Sequence, residues 1–169
     1  DVYQAYLGLH HIENDIYGQT DADVVLRVNP GSLTGASSRA NAIAYSQGRL
    51  KNAAYIYTSA AIERTTRLPH DMELHTTFVG QVAGDPLPRS EQAGLGGAYL
   101  VRGYSLDDGS YDTAAVLRDE LRVRSLSLGR VAVQPYFFAD LGVGKDNFTK
   151  STTTLASAGV GAESYLTSH

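Results

Sequence analysis

The sequence contains no cysteine and no tryptophan. A disulfide framework and a thiolate metal site are therefore excluded. Net charge is −4, and there is no run of basic residues, about five or more long, of the kind that marks a nucleic-acid tail. The electrostatic footprint of a nucleic-acid partner is missing. No apolar run approaches the roughly 18 residues that a membrane helix needs. Residues 1–9 lack the basic start and apolar core of a signal peptide, so one was removed or the chain is an internal segment. Helix signals are scarce: stretches 37–45 and 118–124 fit a helix or a strand equally well.

Glycine and tyrosine are plentiful, with 17 and 11 residues against one methionine and four phenylalanines. That composition, set in alternating segments, suits a β-rich chain. Period two is the strongest pattern. Met72, Leu74, Thr76, Phe78, Gly80 and Val82 share one face, and Glu73, His75, Thr77, Val79, Gln81 and Ala83 the other. Val131, Val133, Pro135, Phe137, Ala139, Leu141 and Val143 likewise oppose Ala132, Gln134, Tyr136, Phe138, Asp140 and Gly142. Between them, Val116, Arg118, Glu120, Arg122 and Arg124 alternate with Leu117, Asp119, Leu121 and Val123. Such alternation predicts strands with one apolar and one polar face.

These strands are long. A soluble domain uses strands of about five or six residues, whereas a tilted membrane strand needs about nine to eleven. Length therefore favours a transmembrane barrel over a sandwich, although Pro135 is awkward in a central strand. Weaker strands are expected at 3–12, 22–29, 52–64, 94–100 and 153–166. Turns are expected at Asn14-Asp15 with Gly18, at Pro30-Gly31, at 68–71 and at 144–147. A loop is expected over 31–38 and a turn at the membrane edge over 84–92. The expected fold is all-β, an antiparallel transmembrane β-barrel of about eight strands, whole or partial.

Catalytic motifs are lacking. His10 and His11 are adjacent, so in a strand they face opposite ways and cannot share a metal. His70 lies at a turn and His75 on a polar face, without a matched ligand pair. No Gly-x-Ser-x-Gly, His-Glu-x-x-His or phosphate-cradling glycine loop occurs. We expect no catalytic residue, no metal and no small-molecule cofactor.

Two short segments carry more meaning. The first is Gly96-Gly97-Ala98-Tyr99-Leu100-Val101-Arg102-Gly103-Tyr104, and the second is Phe138-Ala139-Asp140-Leu141-Gly142. Together they resemble the signature of two-partner secretion transporters, the haemolysin secretion/activation family of the POTRA-bearing barrel superfamily. In that superfamily a Val-Arg-Gly-Tyr motif tips a loop that folds back into the barrel, and a Phe-x-Asp-x-Gly motif faces it from the wall. Ser90-Glu91-Gln92 followed by Leu95-Gly96-Gly97 resembles the lead-in to that loop. Gly80-Gln81 with Leu87 resembles the strand before it, and Glu120-Leu121-Arg122 the strand after it. The resemblance covers about 53–166. Asp107-Asp108-Gly109 departs from the family's form.

The resemblance implies a bacterial outer-membrane pore that translocates a secreted passenger of haemolysin or adhesin type, in contact with outer-membrane lipid. It implies that 1–169 is one barrel domain or a C-terminal barrel fragment, without the POTRA domains. A barrel-assembly insertase of the same superfamily and a soluble β-sandwich binding module are the alternatives.

The residue types fit such a loop latch. Asp140 falls on the polar parity of its strand, where an unpaired carboxylate carries a desolvation cost. Arg102 offers a planar fork that binds a carboxylate through two hydrogen bonds. Gly103 allows a sharp turn and a close approach to the wall, and Tyr104 brings a ring and a hydroxyl. Val101 to Tyr104 are thus the expected latch, and Phe138, Asp140 and Gly142 its wall partner. Loss of Arg102 is expected to leave Asp140 unpaired, at roughly 3–5 kcal/mol if the pair is buried. Glu73, Arg118, Glu120, Arg122 and Arg124 are expected to face the lumen and keep a channel hydrated.

Overall fold

A computed structural model describes residues 3–31, 35, 38–105 and 108–166. Most of the loop expected over 31–38 lies outside the described residues, as do Asp107 and the terminal Thr167, Ser168 and His169.

The chain is all-β, built on one antiparallel eight-stranded sheet. Its strands are β1 (Ala5–Asn14), β2 (Gly18–Asn29), β3 (Tyr55–Leu68), β4 (Met72–Ala83), β7 (Thr113–Arg122), β8 (Leu126–Leu128), β9 (Val131–Lys145) and β10 (Thr152–Leu166). Their order is β1-β2-β3-β4-β7-β9-β10, with β8 added against the start of β9. The long strands pair antiparallel in chain order, with the short β5, β6 and β8 intervening between β4 and β9. The sheet is not closed, and β1 and β10 are its two edges. A short helix, α1 (Arg39–Tyr45), lies between β2 and β3 and is capped by the Ser38 side chain, which accepts from Asn41 N.

The connections at the two ends differ. At one end, Asp15 Oδ1 accepts from Tyr17 N (2.7 Å) and Gly18 N (2.8 Å) and closes β1 onto β2. There too His70 and Asp71, both with φ near +60°, reverse the chain between β3 and β4. At the other end stand the long connections, 30–54 and 84–112, and the turn at 146–151. Segment 84–112 contains a 3-10 turn (Arg89–Glu91) and a small ribbon of β5 (Ala93–Gly94) on β6 (Ser110–Tyr111).

Register fixes the faces. Thr77, Arg118, Asp140 and Ser157 are lateral neighbours on one face, and Thr76, Asp119 and Ala139 are neighbours on the other. The first face meets the tip of the 84–112 loop on β7, β9 and β10. The second carries an exposed apolar side chain on strand after strand: Leu9, Val24, Ile62, Val82, Leu117, Phe137, Leu141 and Val160.

Several expectations need correction. Residues 94–100 form no strand beyond Gly94; Gly97, at φ +120°, turns the chain back so that Gly96 bridges Val101. β9 runs through the expected turn at 144–145 and ends at Lys145. Stretch 118–124 is strand through Arg122, while 39–45 is helix. Pro135 sits just past the end of β7. Its carbonyl accepts from Val123 N (3.0 Å), and the Val123 carbonyl takes Gln134 Nε2 (3.4 Å) in place of the missing proline N–H. The ladder therefore tolerates it.

Candidate functional site

The loop from 84 to 112 drops its tip onto the inner wall formed by β7, β9 and β10. Leu95 and Val101 are fully buried there, packed with Tyr111, Ala114 and Val116. A Cβ on Gly142 would stand 2.7 Å from Val101 Cγ2, so only glycine lets the tip come this close to β9.

Arg102 is the centre of the contact. Its Nε donates to Asp140 Oδ2 (2.8 Å) and its Nη2 to Asp140 Oδ1 (2.7 Å), a two-pronged pair. Its backbone N–H also donates to Asp140 Oδ2, at 3.0 Å. Its Nη1 donates to Glu120 Oε2 (2.8 Å), so two wall acids share one guanidinium. The guanidinium carbon lies 3.8 Å from the centre of the Phe138 ring, a cation–π contact from the loop onto the wall. The hydrogen bond to Asp140 above all, against the opposing effect of burial, raises the Arg102 pKa above its ordinary value, and Glu120 adds to this.

The structure brings Phe138, Asp140 and Gly142 to one inner face of β9, each against a different part of the tip. Tyr104 reaches past them, its hydroxyl donating to the Ala156 carbonyl (3.1 Å). Gly103 has φ +86°, which suits glycine, but a Cβ there would meet open space. The close approach expected of Gly103 is made at Gly142 instead. Asp140 is also not left without company when Arg102 is discounted. Ser157 Oγ lies 3.3 Å from Oδ2, and Arg118 Nε 3.9 Å from Oδ1.

The charged residues of the wall divide. Arg118, Glu120 and Arg122 lie on the inner face of β7. Arg122 bridges Glu120 (2.8 Å) and Glu163 (3.0 Å). Glu73 is on the same face of β4 and meets His75 Nε2 at 3.2 Å. Arg124 is not on the wall. β7 ends at Arg122, so the alternation stops, and Arg124 is an exposed residue 3.7 Å from Asp71. His10 points inward, toward Asp23 (2.9 Å) and Asp21 (3.5 Å), while His11 points outward toward Glu13. His10, Asp21 and Asp23 are the one set of metal-type side chains that clusters among the described residues, and it is open to solvent.

A second polar cluster, unforeseen in the sequence, ties down the root of the same loop. Asp112 is fully buried and accepts from Arg49 Nη2 (2.7 and 2.8 Å), Leu87 N (2.8 Å), Gln92 Nε2 (3.1 Å) and Asn147 N (2.6 Å). Arg49 Nη1 also donates to Asp146 Oδ2 (2.7 Å), and its Nε to the Leu87 carbonyl (3.0 Å). Burial lowers the Arg49 pKa, but its hydrogen bonds to Asp146 and Asp112 outweigh that and leave it raised. Glu91 of the lead-in accepts from the Tyr57 hydroxyl at 2.6 Å. Sequence held one signal near this cluster, the turn expected at 144–147, which carries Asp146 and Asn147.

The arrangement positions a loop. None of the curated proteins matches this chain. Residues 7–164 match the family model described as Haemolysin secretion/activation protein ShlB/FhaC/HecB, and the chain therefore belongs to that family of outer-membrane transporters, which serve two-partner secretion and are not enzymes.

Proposed function

We propose that this chain forms part of the wall of an outer-membrane pore through which a secreted exoprotein of haemolysin or adhesin type passes. The 84–112 loop lies in that pore, and Arg102 on Asp140 latches its tip to the wall. The observation that carries this reading is the buried two-pronged pair between a loop tip and an inner wall, with Asp140 only 3% exposed. A pair so placed couples loop position to a single contact that can be made or broken.

The membrane part of the reading has its own support. The face turned away from the loop is apolar and exposed along the sheet, as a lipid-facing surface would be. Strands of 10 to 15 residues are long enough to cross a bilayer at a tilt. In hydrocarbon the free edges of β1 and β10 would need partner strands, since lipid offers backbone groups nothing to bond to. The sheet is then one sector of a larger barrel. Charged side chains on the inner face would keep the lumen wet and hold an unfolded chain weakly.

Export of a reporter passenger tests this. Arg102→Ala and Asp140→Ala should each reduce export while the protein still migrates as a folded, heat-modifiable barrel. Wild-type export from both variants would remove the latch. Conductance across a planar bilayer tests the pore itself, and its absence from the intact wild-type protein would leave a wall without a channel.

A further inference from the structure

The wall holds a second arginine that the latch does not use. Arg118 on β7 lies directly opposite Asp140 on β9. Its Nη1 donates to the carbonyl of Tyr99, in the loop tip, at 3.0 Å. Its Nε is buried and has no hydrogen-bond partner, the one such side-chain atom among the described residues. That nitrogen stands 3.9 Å from Asp140 Oδ1, too far for a hydrogen bond. Arg102 Nη2 already occupies the same oxygen at 2.7 Å. A buried donor left unmade costs stability, and one this close to an oxygen held by another arginine calls for an explanation.

We propose that Arg118 is a positioning residue that takes over Asp140 when Arg102 withdraws. The proposal rests on the latch reading, in which the tip leaves the wall. One movement then does two things. It carries Arg102 away from Asp140, and it carries the Tyr99 carbonyl away from Arg118. The freed Arg118 fork need move only about 1 Å to bring Nε within bonding distance. Asp140 exchanges one guanidinium for another, so release of the tip strands no buried carboxylate. The unmade bond of the docked state is the one made in the released state. Arg118 thus lowers the cost of opening, although its bond to Tyr99 belongs to the closed form.

The test uses the intact protein in detergent. The sequence has no cysteine of its own. Spin labels go on Tyr99→Cys, whose side chain is exposed, and on Lys150→Cys in the β9–β10 turn. The distance distribution between them gives the fraction of tips displaced from the wall. Arg118→Met should lower that fraction roughly threefold or more, because the released state loses its carboxylate partner. Arg118→Lys should keep it near wild type. In an Asp140→Asn background, Arg118→Met should no longer lower it.

A residue that merely props the tip through Tyr99 predicts the opposite sign: Arg118→Met would raise the displaced fraction. That result, or no change, overturns the handover. Arg102→Ala separates the two ideas. If it fails to raise the displaced fraction, the latch falls and the handover with it. If it raises the fraction while Arg118→Met does not lower it, the handover alone falls. Heat-modifiable migration of each variant shows that the barrel is assembled.

Discussion

The loop from 84 to 112 is fastened twice, and the two fastenings are built the opposite way round. At the tip, the arginine is on the loop and the acids, Asp140 and Glu120, are on the wall. At the root, the acid Asp112 closes the loop, and Arg49 comes from the connection between β2 and β3. Asp112 is met from several segments at once, by backbone and side-chain donors near 87, 92, 49 and 147. Every contact of the Arg102 guanidinium, by contrast, goes from a single residue to a wall that is complete without it. The root is a junction that four pieces of chain need for their own hydrogen bonding. The ionic hold of the tip on the wall rests on one side chain, beside the apolar packing of Leu95 and Val101. A hinged loop requires that asymmetry.

The comparison breaks most visibly at the root. Arg49→Ala would leave buried Asp112 and the nearby Asp146 without their shared cation, at roughly 3–5 kcal/mol. A clear fall in the temperature at which the folded, heat-modifiable band is lost should follow. The tip should be cheaper. Arg102→Ala leaves Asp140 beside Ser157 and within reach of Arg118, so about 2 kcal/mol is expected in the same assay, with export reduced. Equal thermal losses from the two variants would dissolve the distinction. A charge swap between Arg102 and Asp140 needs Glu120→Gln and Arg118→Gln as well, because the new carboxylate at 102 would otherwise face Glu120 and the new guanidinium at 140 would face Arg118. A rescue of export in that quadruple variant supports direct pairing.

Packing offers a smaller test. Gly142→Ala places a methyl 2.7 Å from Val101 Cγ2 at the tip, and Gly144→Ala places one 2.4 Å from the Tyr111 ring near the root. The tip can yield by lifting, so Gly142→Ala should cost about 1 kcal/mol and displace the loop. Tyr111 is held in the ribbon of β6 on β5, so Gly144→Ala should cost more than Gly142→Ala in thermal stability and displace the tip less. Proteolysis within 95–105 in folded protein distinguishes them. Equal cleavage of both would show that loop and root move together.

What was legible in the sequence follows the same division. The long strands could be read because each buries or wets alternate side chains, and that period is local. Arg102 and Asp140 could be read because each sits in a short motif. Glu120 was visible as an inward charge but not as the second acid on Arg102, since register between β7 and the tip leaves no sequence trace. The root was illegible. Arg49 meets Asp112 and Asp146 across separations of 63 and 97 residues, from irregular backbone where no period applies. Helix α1 stayed undecided because seven residues cannot show a clear period. The expected strand at 94–100 failed because alternating Gly and Leu looks extended until Gly97 takes a positive φ.

The mildest probe is acid. Asp146 lies in the turn beyond β9; burial pushes its pKa up, but the hydrogen bond from Arg49 and the N–H groups of Thr149 and Phe148 hold it below the ordinary aspartate value. A carboxyl whose folded pKa is depressed stabilises fully above the unfolded value. That contribution fades as pH falls below the unfolded value of about 4 and through the lower, folded one. Asp146→Asn keeps an oxygen that can accept from Phe148 and Thr149, and puts an amide donor in place of the charged acceptor that faces Arg49. At pH 7 it should cost about 1 kcal/mol, because Arg49 retains Asp112. The stability gap between wild type and Asp146→Asn should then narrow as pH drops below about 4. A gap that stays constant down to pH 3 would mean that Asp146 shapes the turn and adds nothing to the root as a charge, leaving Asp112 to hold Arg49 alone.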